Sequence, residues 1–76
     1  MREFKPGIYR HFKGKLYLAL LVATDCEDIE KKNVIYISLY ENETSSVWSR
    51  ELSNFLGMKT LEDGTEVERF KFIKER

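Results

Sequence analysis

Residues 34–40, Val-Ile-Tyr-Ile-Ser-Leu-Tyr, are β-branched or aromatic at nearly every position. Read with a period of two, they predict a strand. Ile35, Ile37 and Leu39 share one of its faces; Val34, Tyr36, Ser38 and Tyr40 share the other. Residues 16–24 are apolar on both faces, with Leu16, Leu18, Leu20 and Val22 opposite Tyr17, Ala19, Leu21 and Ala23. A strand covered on both sides, hence a central one, fits that run. Upstream, Pro6-Gly7 interrupts the chain and residues 8–12 predict a short strand. It places Ile8, Arg10 and Phe12 on one face and Tyr9 and His11 on the other, and Lys13-Gly14-Lys15 supplies a tight turn into the next strand.

Downstream, residues 41–46 read as a polar turn and 47–50 as a short extended piece carrying the single tryptophan, Trp48. Residues 51–56 predict one helical turn that sets Leu52 and Phe55 together at i, i+3, and Gly57 ends it. Asp63-Gly64 marks a hairpin turn, and residues 67–73 predict the closing strand. The pattern sums to four or five short strands with at most one or two helical turns. The expected fold is mainly β: one domain over residues 1–76, built as a small bent antiparallel sheet or an SH3-like barrel.

Length sharpens this picture. A chain of 76 residues buries only about 60% of the surface its unfolded form exposes. The two-faced apolar run at 16–23 is hard to cover with so little protein, which predicts a homo-oligomer. Any ligand pocket would then be expected at a subunit junction. No apolar stretch approaches the roughly 20 residues of a membrane helix, so no membrane association is expected. The lack of a secretory apolar region, with one free cysteine, leads to a cytoplasmic expectation.

Charge narrows the function classes. Lys plus Arg equals Asp plus Glu at 13 each, which disfavours a polyanion binder relying on bulk positive charge. The neutral total hides polarity along the chain. The first twenty residues hold Arg2, Lys5, Arg10, Lys13 and Lys15 against Glu3, while acids gather at 25–30 and 62–68. Cys26 stands among Asp25, Glu27 and Asp28, whose negative charge works against a thiolate nucleophile and hence against a dyad with His11. That acidic run lacks the glycine of a calcium loop, and one cysteine forms no multi-cysteine zinc site. No glycine-rich phosphate loop is present either. Neither catalytic residues, nor a metal, nor a cofactor is expected.

Arginines beside aromatic rings remain: Tyr9-Arg10-His11, Trp48 with Arg50, and Arg69-Phe70. Rings stack on flat ligands and guanidinium forks grip phosphate or carboxylate in pairs of hydrogen bonds. The competing interpretation is that the rings pack a core and the arginines pair with surface acids.

The run Gly-Ile-Tyr-Arg-His-Phe-Lys-Gly-Lys-Leu-Tyr at 7–17 resembles a family of short bacterial and phage proteins, domain-of-unknown-function family 1653. So do Val34-Ile35-Tyr36, Leu39-Tyr40, Trp48-Ser49-Arg50, Phe55 and Glu68-Arg69-Phe70. The resemblance spans nearly the whole chain and implies a compact, mostly β domain with no assigned activity. Where that family commonly has proline after Arg50 and before Arg69, this chain has Glu51 and Glu68. Tyr9, Arg10, His11, Trp48, Arg50 and Arg69 are the polar and aromatic members of the matching segments, and they form the expected ligand-binding set. The function expected from these residues is non-catalytic binding of a small anionic, nucleotide-like ligand. By analogy of size and composition only, an oligomeric phage protein that sequesters a nucleotide signal would fit. The alternative is a module that binds protein or nucleic acid through its basic N-terminal face.

Overall fold

The computed structural model describes residues 3–41 and 46–75. It contains strands β1 (Gly7–His11), β2 (Leu16–Thr24), β3 (Lys32–Ser38) and β4 (Val47–Glu51), then one helical turn, α1 (Leu52–Phe55). Strands β5 (Met58–Thr60), β6 (Glu66–Glu68) and β7 (Phe70–Lys74) complete it. The large sheet runs β4-β3-β2-β1-β7, and β5 and β6 form a separate hairpin. All the pairings are antiparallel. The sheet stays open, with β4 and β7 at its edges, so the bent sheet and not the barrel is the fold. The polar turn expected over 41–46 falls largely on residues 42–45, outside the described residues.

β2 is the central strand, as its two apolar faces require. Its alternation is not regular, however. Ala19 lies opposite Tyr36 and Leu21 opposite Ile35, so one extra residue is inserted between them. This bulge turns Val22 to the face of Tyr17 and Ala19, correcting the simple alternation that grouped Val22 with Leu16 and Leu18. A second irregularity falls between Ile8 and Tyr9 along β7. Bulges bend a strand and increase its local twist, which curls this sheet around its contents.

Those contents are mainly aromatic. Tyr9, Ala19, Val34, Tyr36, Phe55 and Phe70 form the buried cluster, with Leu52, Leu56, Phe4 and Phe72 packed against it. α1 is only four residues long, yet it drives Phe55 into the middle of the curved face. There the Phe55 ring stacks on Phe70 at 4.2 Å between centroids and meets Tyr9 and Tyr36 edge-on. Full burial of such a side chain stabilises by about 1.5–3 kcal/mol.

The closing strand expected over 67–73 is two strands. β6 pairs with β5, β7 pairs with β1, and Arg69 stands between them. One segment cannot serve both sheets without a break, because its two halves pair in different directions.

Gly7 holds the start of β1. Its φ is +151°, and a Cβ there would lie 2.5 Å from the Lys74 carbonyl oxygen. Both facts exclude a side chain. Gly7→Ala is expected to lower the free energy of unfolding by about 1–3 kcal/mol, the range for forcing a residue into a sparsely populated backbone region. Urea denaturation checks this, and an unchanged midpoint would contradict the close approach of β1 and β7.

Candidate anion site

β4 presents Trp48 and Arg50 to the core face, since Trp48 lies opposite Tyr36 and Arg50 opposite Val34. Arg50 is half-buried. Its Nε donates to the Tyr36 hydroxyl at 3.2 Å, and its Nη1 donates to Asn54 Oδ1 at 2.6 Å. Its guanidinium carbon lies 5.3 Å from the centre of the Phe70 ring. A tyrosine, an asparagine on the helical turn and an aromatic face thus orient one side of the fork. None of them neutralises it.

His11 ends β1 against the same ring, edge-on to Phe70 at 4.9 Å and to Tyr17 at 6.3 Å between ring centroids. Burial lowers its pKa below the ordinary 6.5, and the charges of Arg50, Lys13 and Arg69 lower it further. The imidazole is therefore neutral at pH 7. Its Nδ1 accepts the Lys13 backbone N–H at 3.2 Å, which leaves the proton on Nε2.

Arg69 is fixed by its backbone at the break between β6 and β7. Its N–H donates to the Gly57 carbonyl at 3.1 Å, and its carbonyl accepts the Phe12 N–H at 2.9 Å. Its Nε is buried with no hydrogen-bond partner. Leaving such a donor unsatisfied costs about 1–3 kcal/mol, more when the group is charged. Tyr36 and Asn54, the side-chain partners of Arg50, carry no charge, and no carboxylate is among the groups whose charge acts on His11.

The six residues singled out from sequence separate into three places. Arg50 and His11 both meet the Phe70 ring, and Arg69 lies near enough for its charge to act on His11. Trp48 stands two residues from Arg50 on the same face, half-buried, with its indole N–H donating to Ser38 Oγ at 3.3 Å. Tyr9 is not brought to this group. It is 1% exposed, and its hydroxyl donates to the Lys5 carbonyl at 2.6 Å, closing the N-terminal loop over the core. Arg10 is exposed on the opposite face of β1. It reaches a neighbouring cleft of about 440 Å³ between that strand and the β5–β6 hairpin, where His11, Phe12 and Lys71 also contribute and where Glu66 and Glu68 bring two carboxylates.

The sequence pattern marks Phe70 as the ring beside Arg69 but gives no place in this site to Asn54, Tyr36 or Lys13. Asn54 carried a signal, since it lies four residues after Arg50 at the start of an expected helical turn. Tyr17 is also a neighbour. Its hydroxyl lies 2.6 Å from that of Tyr40, and burial together with Tyr40 raises its pKa above the ordinary tyrosine range, so it stays neutral.

Cys26 lies past the far end of β2 from His11. Eight strand steps at about 3.3 Å each separate the two ends of β2 by roughly 25 Å. The two residues cannot meet within one chain. The acids around Cys26 serve their own loop: Asp25 Oδ1 accepts the Glu27 and Asp28 N–H groups at 2.8 and 3.2 Å. Among the described residues, no group of three His, Cys, Asp or Glu side chains is placed to hold a metal ion. No described helix is long and apolar enough to cross a membrane.

The family model for DUF1653, proteins of unknown function, matches residues 7–72. The chain belongs to the DUF1653 family. The match takes in His11, Trp48, Arg50 and Arg69 together with the strands that carry them. Among solved structures, a DUF1653 protein from Bordetella bronchiseptica is similar at 32% identity with a TM-score of 0.87. That similarity covers 100% of this chain and 95% of the other. No curated protein matches this chain.

Proposed function

We propose that this DUF1653 protein is a non-catalytic binding domain for a small anion that carries a flat ring. The observation that carries this reading is the convergence of Arg50, Arg69 and Lys13 on His11, where their charges act with no carboxylate among the groups that bear on it. Holding like charges together is unfavourable unless something compensates for it. A phosphate or carboxylate supplies acceptors, accepting from the terminal guanidinium nitrogens of Arg69, from the free side of the Arg50 fork and from His11 Nε2. Trp48, on the same face as Arg50, packs one part of its ring against the core and offers the part left exposed as the flat surface for the ligand ring. The bound molecule leaves unchanged, because this group contains donors and no nucleophile.

Isothermal calorimetry with inorganic pyrophosphate and a panel of nucleoside phosphates tests this. Saturable one-site binding that tightens from pyrophosphate to a nucleotide is the expected result. No heat with any member of the panel overturns the reading. Binding only to long nucleic acids, with a steep salt dependence, would point instead to the basic N-terminal face.

A pH dependence follows from His11. An anion beside the imidazole stabilises its protonated form, so the pKa in the complex lies above that of the free protein. Binding therefore tightens as pH falls below about 6.5, the ordinary histidine value, and is flat above pH 8. The probe must keep a constant charge across that range, as sulfate does. His11→Gln should abolish the slope. The free protein behaves oppositely. With the folded pKa depressed, the stability contributed by neutral His11 is full above the unfolded pKa and falls away as pH drops through the folded one.

A further inference from the structure

The curved face of the sheet holds the aromatic core, but its other face is apolar as well. Strand register places Val47 opposite Ile37, Ile37 opposite Leu18, and Leu18 opposite Ile8. Ile73, one residue before the Ile8 partner Lys74, extends this row onto β7. One line of apolar side chains thus crosses all five strands. Leu21 and Leu39 broaden it above and below. Exposure is largest at its margins, Val47 55%, Leu21 50%, Leu39 47% and Ile73 39%, while Leu18 in the middle is only 8% exposed beneath its neighbours. The polar outer positions, Arg10 and Lys71 at one corner and Ser49 and Glu51 at the opposite one, lie at the rim.

We infer that this face is the interface of a twofold-symmetric homodimer, two copies of the sheet packed back to back. Four strand spacings of about 4.8 Å and three side-chain rows about 7 Å apart give a flat area of roughly 400 Å². That is within the roughly 300–600 Å² of the largest apolar patch on a typical monomer, a size that is often functional. Counted on both copies, and with side-chain relief added, it reaches the roughly 1,000 Å² of a specific interface. A twofold axis brings the apolar middle onto itself, with polar residues around it, which is how stable interfaces are arranged. Zero net charge, 13 basic against 13 acidic residues, removes the long-range repulsion between copies. Such a dimer has two sheets in face contact, the layered arrangement that one bent sheet alone lacks. His11, Arg50 and Arg69 lie toward the core side of each sheet. Each chain then carries a site of its own, in place of the junctional site expected from sequence.

Sedimentation velocity of the native protein across 1–100 µM, an experimental range chosen around typical dimer affinities, tests this. The expected result is a single species at twice the chain mass of 9.1 kDa. Leu21→Lys and Leu39→Lys, made separately, place like charges in the interface on exposed positions. Each should weaken dimerisation at least 100-fold with an unchanged far-ultraviolet circular dichroism spectrum. A native monomer at 100 µM overturns the inference and leaves the face to a different partner. A dimer that survives both folded variants also overturns it, because the contact would then lie elsewhere.

Discussion

Phe55→Ala is expected to remove a large part of the domain's stability, about 3–5 kcal/mol at 25 °C. Phe55 is 0% exposed, stacks on Phe70, and meets Tyr9, Tyr36 and Phe4 edge-on. Removing a buried phenylalanine ring costs about 3–5 kcal/mol, the lost transfer energy plus the cavity left behind. At 0.05–0.15 kcal/mol per residue, a domain this size has only about 4–11 kcal/mol in total. Four residues of helix cannot collapse inward to fill the gap, because β4 holds one end and the Gly57–Arg69 backbone bond ties the other. Thermal and urea unfolding measure the loss. A variant with a melting temperature within a few degrees of the native protein would show that α1 does not plug the sheet.

Arg50→Lys is expected to weaken binding of a phosphate-bearing ligand by about 10- to 100-fold, corresponding to the loss of a charge-assisted hydrogen bond worth roughly 1.5–3 kcal/mol. Charge is retained and the planar fork is lost, so the variant separates directed bonding from simple attraction. A stability change of about 1 kcal/mol accompanies it, because the bonds to Tyr36 and Asn54 are also disturbed. Arg10→Lys provides the control. It alters an exposed arginine on the other face of β1, and its affinity should remain within a factor of two of the native value. Equal losses in the two variants would place the anion in the cleft beside Arg10 and not against Phe70.

Much of the fold was legible in the sequence because its signals are local. The alternation in β3, the Lys13-Gly14-Lys15 turn, the helical turn with Leu52 and Phe55, and the Asp63-Gly64 hairpin each arise from residues near one another in sequence. What escaped depends on pairing. The extra residue in β2 has no signature in a run where every position is apolar, so the change of face at Val22 appears only from the register with β3. The division of 66–74 into two strands depends on which neighbour each half finds.

The candidate site divides along the same line. Trp48 with Arg50, and Arg69 with Phe70, were visible as neighbours in sequence, and the structure adds His11 to Arg50 and Arg69. Tyr9 had an equally suggestive sequence neighbourhood. Its strand position turns it inward, however, and its hydroxyl is satisfied by Lys5, so it packs the core. Arg10, one residue later, must point the other way. Adjacent residues on a strand project to opposite faces, which sets Arg10 apart from Tyr9 and His11, although His11, at the strand end, also borders the cleft beside Arg10.

The most direct test of the anion site is a nuclear magnetic resonance titration of the native protein with inorganic pyrophosphate, following arginine Nε–Hε and imidazole signals. Binding at the proposed place should shift the Arg50 and Arg69 Nε–Hε resonances and His11 together, saturating with one affinity. The Arg10 signal should stay fixed. Saturable shifts confined to Arg10 and the N-terminal lysines, with Arg69 unmoved, would contradict the account.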